Sequence, residues 1–262
     1  MIDIEDGQVH LWLTFSDEVR DQNLMAEYER LVHEDERGQA ARFYFERDRH
    51  RHLVTRVLIR CVLSRYTRVQ PREWTFRANQ YGRPEIANED LSAREIVFNV
   101  SHTEGLIILA VARGRALGVD TENVQARQPA LDIADRFFAP DEVSALGSMP
   151  AERRGLRFFE YWTLKESYIK ARGMGLSIPL EQFSFSFPQD HKIQIRIESN
   201  LNDASARWHF WQFQPTSDYV TAVCAERTRA PQLHLLMHKI VPLHYDERFT
   251  CSLTRVSECE HS

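Results

Sequence analysis

The amino-acid sequence predicts an α+β fold, and three observations carry that prediction. Two segments, 48–66 and 152–172, have the apolar spacing of long helices. Four strand-like runs, 183–187, 192–197, 207–213 and 219–225, follow the second helix in succession. Arg42-Phe43-Tyr44 precedes the first long helix, and Arg136-Phe137-Phe138 precedes the second, 94 residues later. That echo favours two similar halves.

The elements follow in order. Residues 9–15 read as a first strand, with 25–32 and 39–45 as short helical stretches. Val54, Val57, Leu58 and Cys61 form an i, i+3, i+4, i+7 stripe that sets the helix over 48–66. On that helix Arg47 and Arg51 point toward the core side, whereas Arg49, Arg56 and Arg60 share the opposite, solvated face. Tyr81-Gly82-Arg83-Pro84 is a turn signal. Residues 96–100 read as a strand, 101–105 as a tight turn and 106–112 as a buried strand, with 117–120 continuing the strand-rich stretch. Residues 131–138 have helical spacing, and Pro140-Asp141-Glu142 opens a further helix. Phe158, Tyr161, Trp162, Tyr168 and Ile169 supply the buried side of the second long helix, which Gly173 terminates. Residues 226–262 show no clear pattern.

Composition narrows the function. The chain has 262 residues, 43% hydrophobic and 27% charged, with 10 Gly and 10 Pro, which describes a globular protein with room for a substantial core. A net charge of -5 speaks against a general nucleic-acid binder. The apolar run 106–112 is seven residues long, far short of a membrane span. The acidic start Met1-Ile2-Asp3-Ile4-Glu5-Asp6 does not read as a signal peptide. Four dispersed cysteines make neither a disulfide framework nor a zinc ribbon, so the expected setting is cytoplasmic.

Three clusters carry chemistry. In Gly118-Val119-Asp120-Thr121-Glu122 the two acids stand at i and i+2, so an extended strand sends both to one face, as a hard oxygen site for Mg²⁺ requires. The alternative is a strand end showing acids to solvent. Glu166 and Lys170 lie one helical turn apart, a carboxylate beside a cation suited to phosphate, or else an ordinary i, i+4 pair. Composition leans toward the former: the chain has 29 Arg but four Lys, and two of those fall at 165 and 170. Asn99-Val100-Ser101-His102 ends a strand where side chains and backbone N–H groups converge on an anion, or simply closes a turn. Arg51 and Arg83 are further phosphate candidates, with surface ion pairs as the alternative. His50 with His52, and His234 with His238, lack the geometry or the third ligand of a zinc site.

The order and spacing of these motifs, with Arg42-Phe43-Tyr44 and Tyr81-Gly82-Arg83-Pro84, and onward through Gly175-Leu176 and Pro179-Leu180 to Val223-Cys224-Ala225, resemble the 4′-phosphopantetheinyl transferases of the surfactin-synthetase-activating type over residues 8–226. The resemblance implies a monomer of two similar α+β halves related by a pseudo-twofold axis, with coenzyme A in the cleft between them. Residues 1–115 would form the N-terminal half with the nucleotide contacts, 116–226 the C-terminal half with the acids and the catalytic helix, and 227–262 an extension of unknown role. The implied reaction moves phosphopantetheine from coenzyme A to a serine of an apo acyl or peptidyl carrier protein, releasing adenosine 3′,5′-bisphosphate. By the same resemblance Asp120, Glu122 and Glu166 would hold Mg²⁺, or Mn²⁺, which suits the same oxygen ligands. Lys170 and His102 would contact the pyrophosphate, and Arg51, Arg83 and Ser101 the nucleotide and its 3′-phosphate. Glu166 is also a candidate for the base that takes the serine proton.

Relatives often carry lysines just before the Arg-Phe-Tyr segment; here the stretch is Asp35-Glu36-Arg37-Gly38-Gln39-Ala40-Ala41, leaving Arg37 or Arg42 as substitutes. Thr121, between the acids, is expected to face away from them. Carrier proteins present an acidic helix, so their surface is expected along 124–138, where Arg127 and Arg136 flank apolar residues. A magnesium-dependent hydrolase of coenzyme A and a non-catalytic nucleotide-binding module are the competing readings.

Overall fold

Each half of the molecule repeats one plan: a strand, a long helix, a small hairpin and an antiparallel pair of strands. The computed structural model describes residues 1–126, 129, 131–228 and 232–257. The first half runs through β1 (Gln8–Phe15), α1 (Gln22–Leu31), α2 (Glu34–Ala40), α3 (Glu46–Leu63), the hairpin of β2 (Phe76–Ala78) and β3 (Pro84–Ile86), α4 (Leu91–Arg94), then β4 (Ile96–His102) and β5 (Leu106–Arg113). The second comprises β6 (Leu117–Asn123), α5 (Ala134–Phe137), α6 (Pro140–Gly147), α7 (Ala151–Arg172), the hairpin of β7 (Phe183–Ser186) and β8 (Lys192–Ile197), then β9 (Trp208–Phe213) and β10 (Tyr219–Glu226). Three further strands follow: β11 (His234–Val241), β12 (Tyr245–Arg248) and β13 (Leu253–Ser257).

The strand orders make the duplication plain. One sheet contains β1-β5-β4 and the other β6-β10-β9, every pair antiparallel. Period-two alternation then assigns the faces. Val9, Leu11, Leu13, Leu106, Ile108 and Ala110 pack against Val119, Trp211, Phe213 and Val223 of the other sheet. Trp12, Ile107, Leu109 and Val111 turn the other way, onto Val54, Val57, Leu58 and Cys61 of α3. The run 106–112 is apolar throughout because both of its faces are covered. Phe210, Ala222 and Cys224 do for α7 what Trp12 and Leu109 do for α3. The layers are therefore helix, sheet, sheet, helix. Among the described residues no helix is long and apolar enough to cross a membrane.

The tail, patternless in sequence, completes both sheets. β11 adds to β1 in parallel and carries β12 on its outer edge. β13 inserts between β9 and β8, so the β7–β8 hairpin reaches its sheet only through the tail. Arg255 anchors it, its Nη1 donating to Glu160 Oε1 and Gln212 Oε1, both at 2.8 Å.

Other local expectations need correction. The helix expected over 39–45 is α2, which ends at Ala40; Glu36 Oε2 caps its start by accepting the His33 N–H at 3.0 Å, and Arg42-Phe43-Tyr44 lies in the exposed turn beyond it. Residues 131–138 split into a 3₁₀ turn and the single-turn α5. Arg60 is not solvated but buried at 1% exposure: its guanidinium meets Glu36 Oε2 at 2.8 Å and the Trp74 carbonyl at 2.9 Å. Arg47, expected toward the core, is exposed, near Glu104. Helix periodicity gives a direction, but α2 and the β2 hairpin cover the face that the apolar stripe alone leaves open.

Candidate active site

The seam between the halves is where β4 meets β6. The two strands run parallel but do not share a main-chain ladder. Instead Asn99 Oδ1, Ser101 Oγ and Thr103 Oγ1 accept from the backbone N–H of Val119, Thr121 and Asn123 at 2.8, 3.3 and 3.2 Å, each pair twenty residues apart. Alternation puts these three polar side chains on one face, which explains the polar spacing of the Asn-Val-Ser-His-Thr run. Behind β6 lies α7. A Cβ on Gly118 would overlap the Ser167 carbonyl and crowd the Ala171 N–H, so only glycine lets this strand lie against the helix backbone.

That approach sets the chemistry. Asp120 and Glu122 share the α7 side of β6, while Thr121 turns away and bonds Thr221 Oγ1 at 2.8 Å, as expected. Lys170 does not pair with Glu166 along the helix. Its Nζ reaches across to Asp120 Oδ1 at 2.7 Å, Ser101 Oγ at 3.1 Å and the Val119 carbonyl at 3.1 Å. Ser101 also donates to Asp120 Oδ1 at 2.9 Å. The second oxygen, Asp120 Oδ2, is buried with no partner. Glu166 has its pKa pushed up to about 7, by burial first and then by the neighbouring Asp120 carboxylate, with Lys170 opposing. Among the described residues, no three His, Cys, Asp or Glu side chains already stand together as a metal cage.

His102 joins the group on the same small cavity of about 310 Å³, which Ser101, Asp120, Glu122 and Lys170 also line. Its pKa is lowered to about 4, by desolvation first and then by the cations Arg51 and Lys170. A neutral imidazole flanked by two cations is a hydrogen-bonding group set against an anion-attracting field.

The remaining expected residues are placed less directly. Arg51 Nη2 is held by Asp48 Oδ1 at 2.7 Å. Arg42 stands exposed in the turn before α3. Arg83 is a clamp: Nη1 donates to the Lys170 carbonyl at 2.6 Å, and Nη2 to the carbonyls of Leu117 and Phe98 at 3.1 and 3.3 Å. The turn holding it is fixed by Asn79, which accepts from the Tyr81 and Arg83 N–H groups and donates to the Gly173 carbonyl at 3.0 Å. The Tyr-Gly-Arg-Pro turn thus caps the end of α7, with Gly82 in the left-handed region at φ 85°. Arg37, a suggested substitute for the lysines, donates to the Glu29 and Val32 carbonyls. Arg127 lies outside the described residues, and Arg136 is exposed on α5.

Two residues that the sequence analysis gave no role at the site, His52, set aside as a metal ligand, and Arg56, placed on the solvated face, belong to it. His52 and Arg56 line both the small cavity and a larger groove of about 790 Å³ between α1, α2 and α3. His52 Nε2 is buried without a partner. Their positions at i and i+4 on α3, one turn beyond Asp48, were the available signal.

A duplicated α+β fold with acids, a lysine and an imidazole converging at its seam has the charge pattern of a site that handles phosphate groups. Family models divide the chain at the same seam, residues 21–113 matching the 4′-phosphopantetheinyl transferase N-terminal model and 116–224 the 4′-phosphopantetheinyl transferase superfamily model. The chain belongs to this superfamily and is a phosphopantetheinyl transferase. It is 30% identical over 216 residues to the 4′-phosphopantetheinyl transferase HetI of Nostoc sp., covering 82% of this chain and 86% of that protein. It is 32% identical over 202 residues to the 4′-phosphopantetheinyl transferase Sfp of Bacillus subtilis, covering 77% and 85%. Over 149 residues it is 34% identical to the 4′-phosphopantetheinyl transferase gsp of Aneurinibacillus migulanus, covering 56% and 59%.

Proposed function

We propose that this transferase takes the 4′-phosphopantetheine group from coenzyme A, delivers it to a serine of an apo acyl or peptidyl carrier protein, and releases adenosine 3′,5′-bisphosphate. The observation that carries the reading is the unpartnered buried Asp120 Oδ2 beside Glu166, whose carboxyl titrates near neutrality. Two crowded carboxylates with an unfilled oxygen suit a hard divalent cation. Asp120, Glu122 and Glu166 would hold Mg²⁺, or Mn²⁺, which when bound supplies positive charge to the pyrophosphate oxygens.

The residues of the chain do the rest. The serine Oγ attacks the β-phosphorus, the bridging bond to the nucleotide breaks, and Lys170 offers its charge to the departing bisphosphate. Lys170 is already oriented for this by Ser101 and the Val119 carbonyl. His102 donates to a phosphate oxygen. Glu166 would accept the serine proton, directly or through a water, its raised pKa matching that of an effective base. Arg56 and His52, which line the small cavity, and Arg51, whose charge reaches His102 beside it, would receive the nucleotide phosphates. Phe137 and Trp162 pack edge to face at 6.0 Å beside the exposed Arg136, a basic and apolar border that suits an acidic carrier helix.

Intact-mass spectrometry tests the reading. Apo acyl and apo peptidyl carriers, incubated with the protein, coenzyme A and Mg²⁺, should gain one phosphopantetheine, and the Glu166→Ala chain should give none. Hydrolysis of coenzyme A with no gain on either carrier would favour the hydrolase reading. Coenzyme A bound but intact would favour a binding module. Glu166→Gln should lower transfer more than coenzyme A affinity; equal losses would remove the base role.

A further inference from the structure

A second cavity, of about 750 Å³, lies at the opposite end of the seam, where β4 and β6 begin and β5 and β10 finish. Four arginines, Arg77, Arg83, Arg94 and Arg115, line it against two glutamates, Glu85 and Glu226. Glu226 is already committed, its Oε1 to Arg207 Nε at 2.8 Å and its Oε2 to the Ala116 N–H at 3.2 Å. Among the described residues, the side chains of Arg77 and Arg94 have neither an ion pair nor a hydrogen bond, while Glu85 faces Arg77 across the β2–β3 hairpin. Arg115 is the unusual member. It is 4% exposed, its Nη2 meets Asp6 at 2.7 Å, and its Nε and Nη1 are sealed from solvent with no acceptor. A buried guanidinium with orphaned donors is costly, and negative charge in the adjoining cavity offsets part of the cost of burying its charge.

We infer that this cavity is a second anion site, separate from the catalytic one, which takes a phosphate group on Arg77 and Arg94, with the charge of the buried Arg115 behind them. The chemistry is that of arginine recognising a tetrahedral oxyanion. Ile86, Ile96 and Phe98 on the same wall leave apolar room for a carried group, so the phosphate can be free or the head of a small monoester. Arg83 lines this cavity with its guanidinium tied to the Lys170 carbonyl, and its neighbour Pro84 lines the cavity at the catalytic end.

The test is calorimetric titration of the full chain carrying Lys170→Ala, which weakens the other phosphate pocket, with inorganic phosphate and with adenosine 5′-monophosphate in parallel. Binding of either probe should persist in that chain and weaken by about tenfold or more when Arg77→Glu and Arg94→Glu are added, equivalent to about 1.4 kcal/mol. Both substitutions lie on exposed side chains, so the result does not depend on the folding of a variant at buried Arg115. A tighter nucleotide than phosphate identifies the monoester as the ligand, and equal affinities identify free phosphate. No binding in the Lys170→Ala chain, or binding indifferent to the two arginines, would overturn the inference. Because the readout is binding rather than transfer, its failure leaves the proposed reaction untouched.

Discussion

The two halves use the same plan but space their long helices differently. Under α3, the layer between helix and sheet is filled by Trp12, Ile107 and Leu109. Under α7, the matching first strand carries Gly118, and the helix backbone comes down onto it. The spaced half lends Arg56, His52 and His102 to the cavity. The close-packed half brings Asp120 to within 2.7 Å of Lys170. Chemistry in this duplicated fold sits where the large spacer was given up.

Gly118→Ala should therefore be the most damaging small substitution in the chain. The added methyl meets backbone, which cannot rotate away, so a destabilisation of about 3 kcal/mol, the upper end of the usual cost of overpacking, is expected, with loss of transfer. Thermal melting and the carrier assay read both; a variant that melts normally would show that α7 does not need this approach. The tail offers the next contrast. In the C-terminal half Arg255→Ala strips Glu160 of a buried partner and should cost about 3 kcal/mol, whereas in the N-terminal half Lys239→Ala removes an exposed pair with Glu18 and should cost well under about 1 kcal/mol. Urea midpoints of the two variants check this, and equal shifts would mean that β13 is held by its strand pairing rather than by Arg255.

How legible the site was in the sequence depends on how local its causes are. Asp120 and Glu122 were readable because strand alternation alone puts them on one face, and Glu166 and Lys170 because one helical turn separates them. The partner of Lys170 was not readable, since Asp120 lies fifty residues away. The same holds for Arg83, whose carbonyl partner on α7 is 87 residues distant, and for Ser101, expected on the nucleotide but found bonded to Asp120. Arg60 looked solvated because nothing in α3 itself announces Glu36. The tail strands escaped detection for another reason: β12 is exposed at every position and β13 is short, so neither shows an alternating pattern, and their existence depends on edges offered by β11 and β9.

Acid should probe both halves through one buried histidine each. His10 on β1 bonds Tyr66 Oη at 2.9 Å beside His238, and its pKa is pushed to about 4 by burial and then by His238. His209 on β9 is pushed to about 3 by burial and then by Arg227. Both folded-state values lie below the ordinary 6.5, so the unfolded chain binds more protons in between. Stability is whole above about pH 6.5 and falls as pH drops toward 4, each histidine contributing about 1.4 kcal/mol per unit well inside its window. His10→Gln should flatten the slope above pH 4 by one such share; an unchanged slope would place the acid sensitivity in other groups, His102 and His209 among them.

The smallest expected effect returns to glycine. Gly38 sits inside α2 on an exposed face, and a Cβ there meets nothing within 4 Å. Helix interiors disfavour glycine through backbone entropy, so Gly38→Ala should stabilise by about 0.5–1 kcal/mol, opposite in sign to the same change at Gly118. A rise in the urea midpoint at constant slope would show that space, rather than residue type, decides the sign. Destabilisation at Gly38 would instead mean that α2 needs its glycine for the turn that carries Glu36 inward to Arg60.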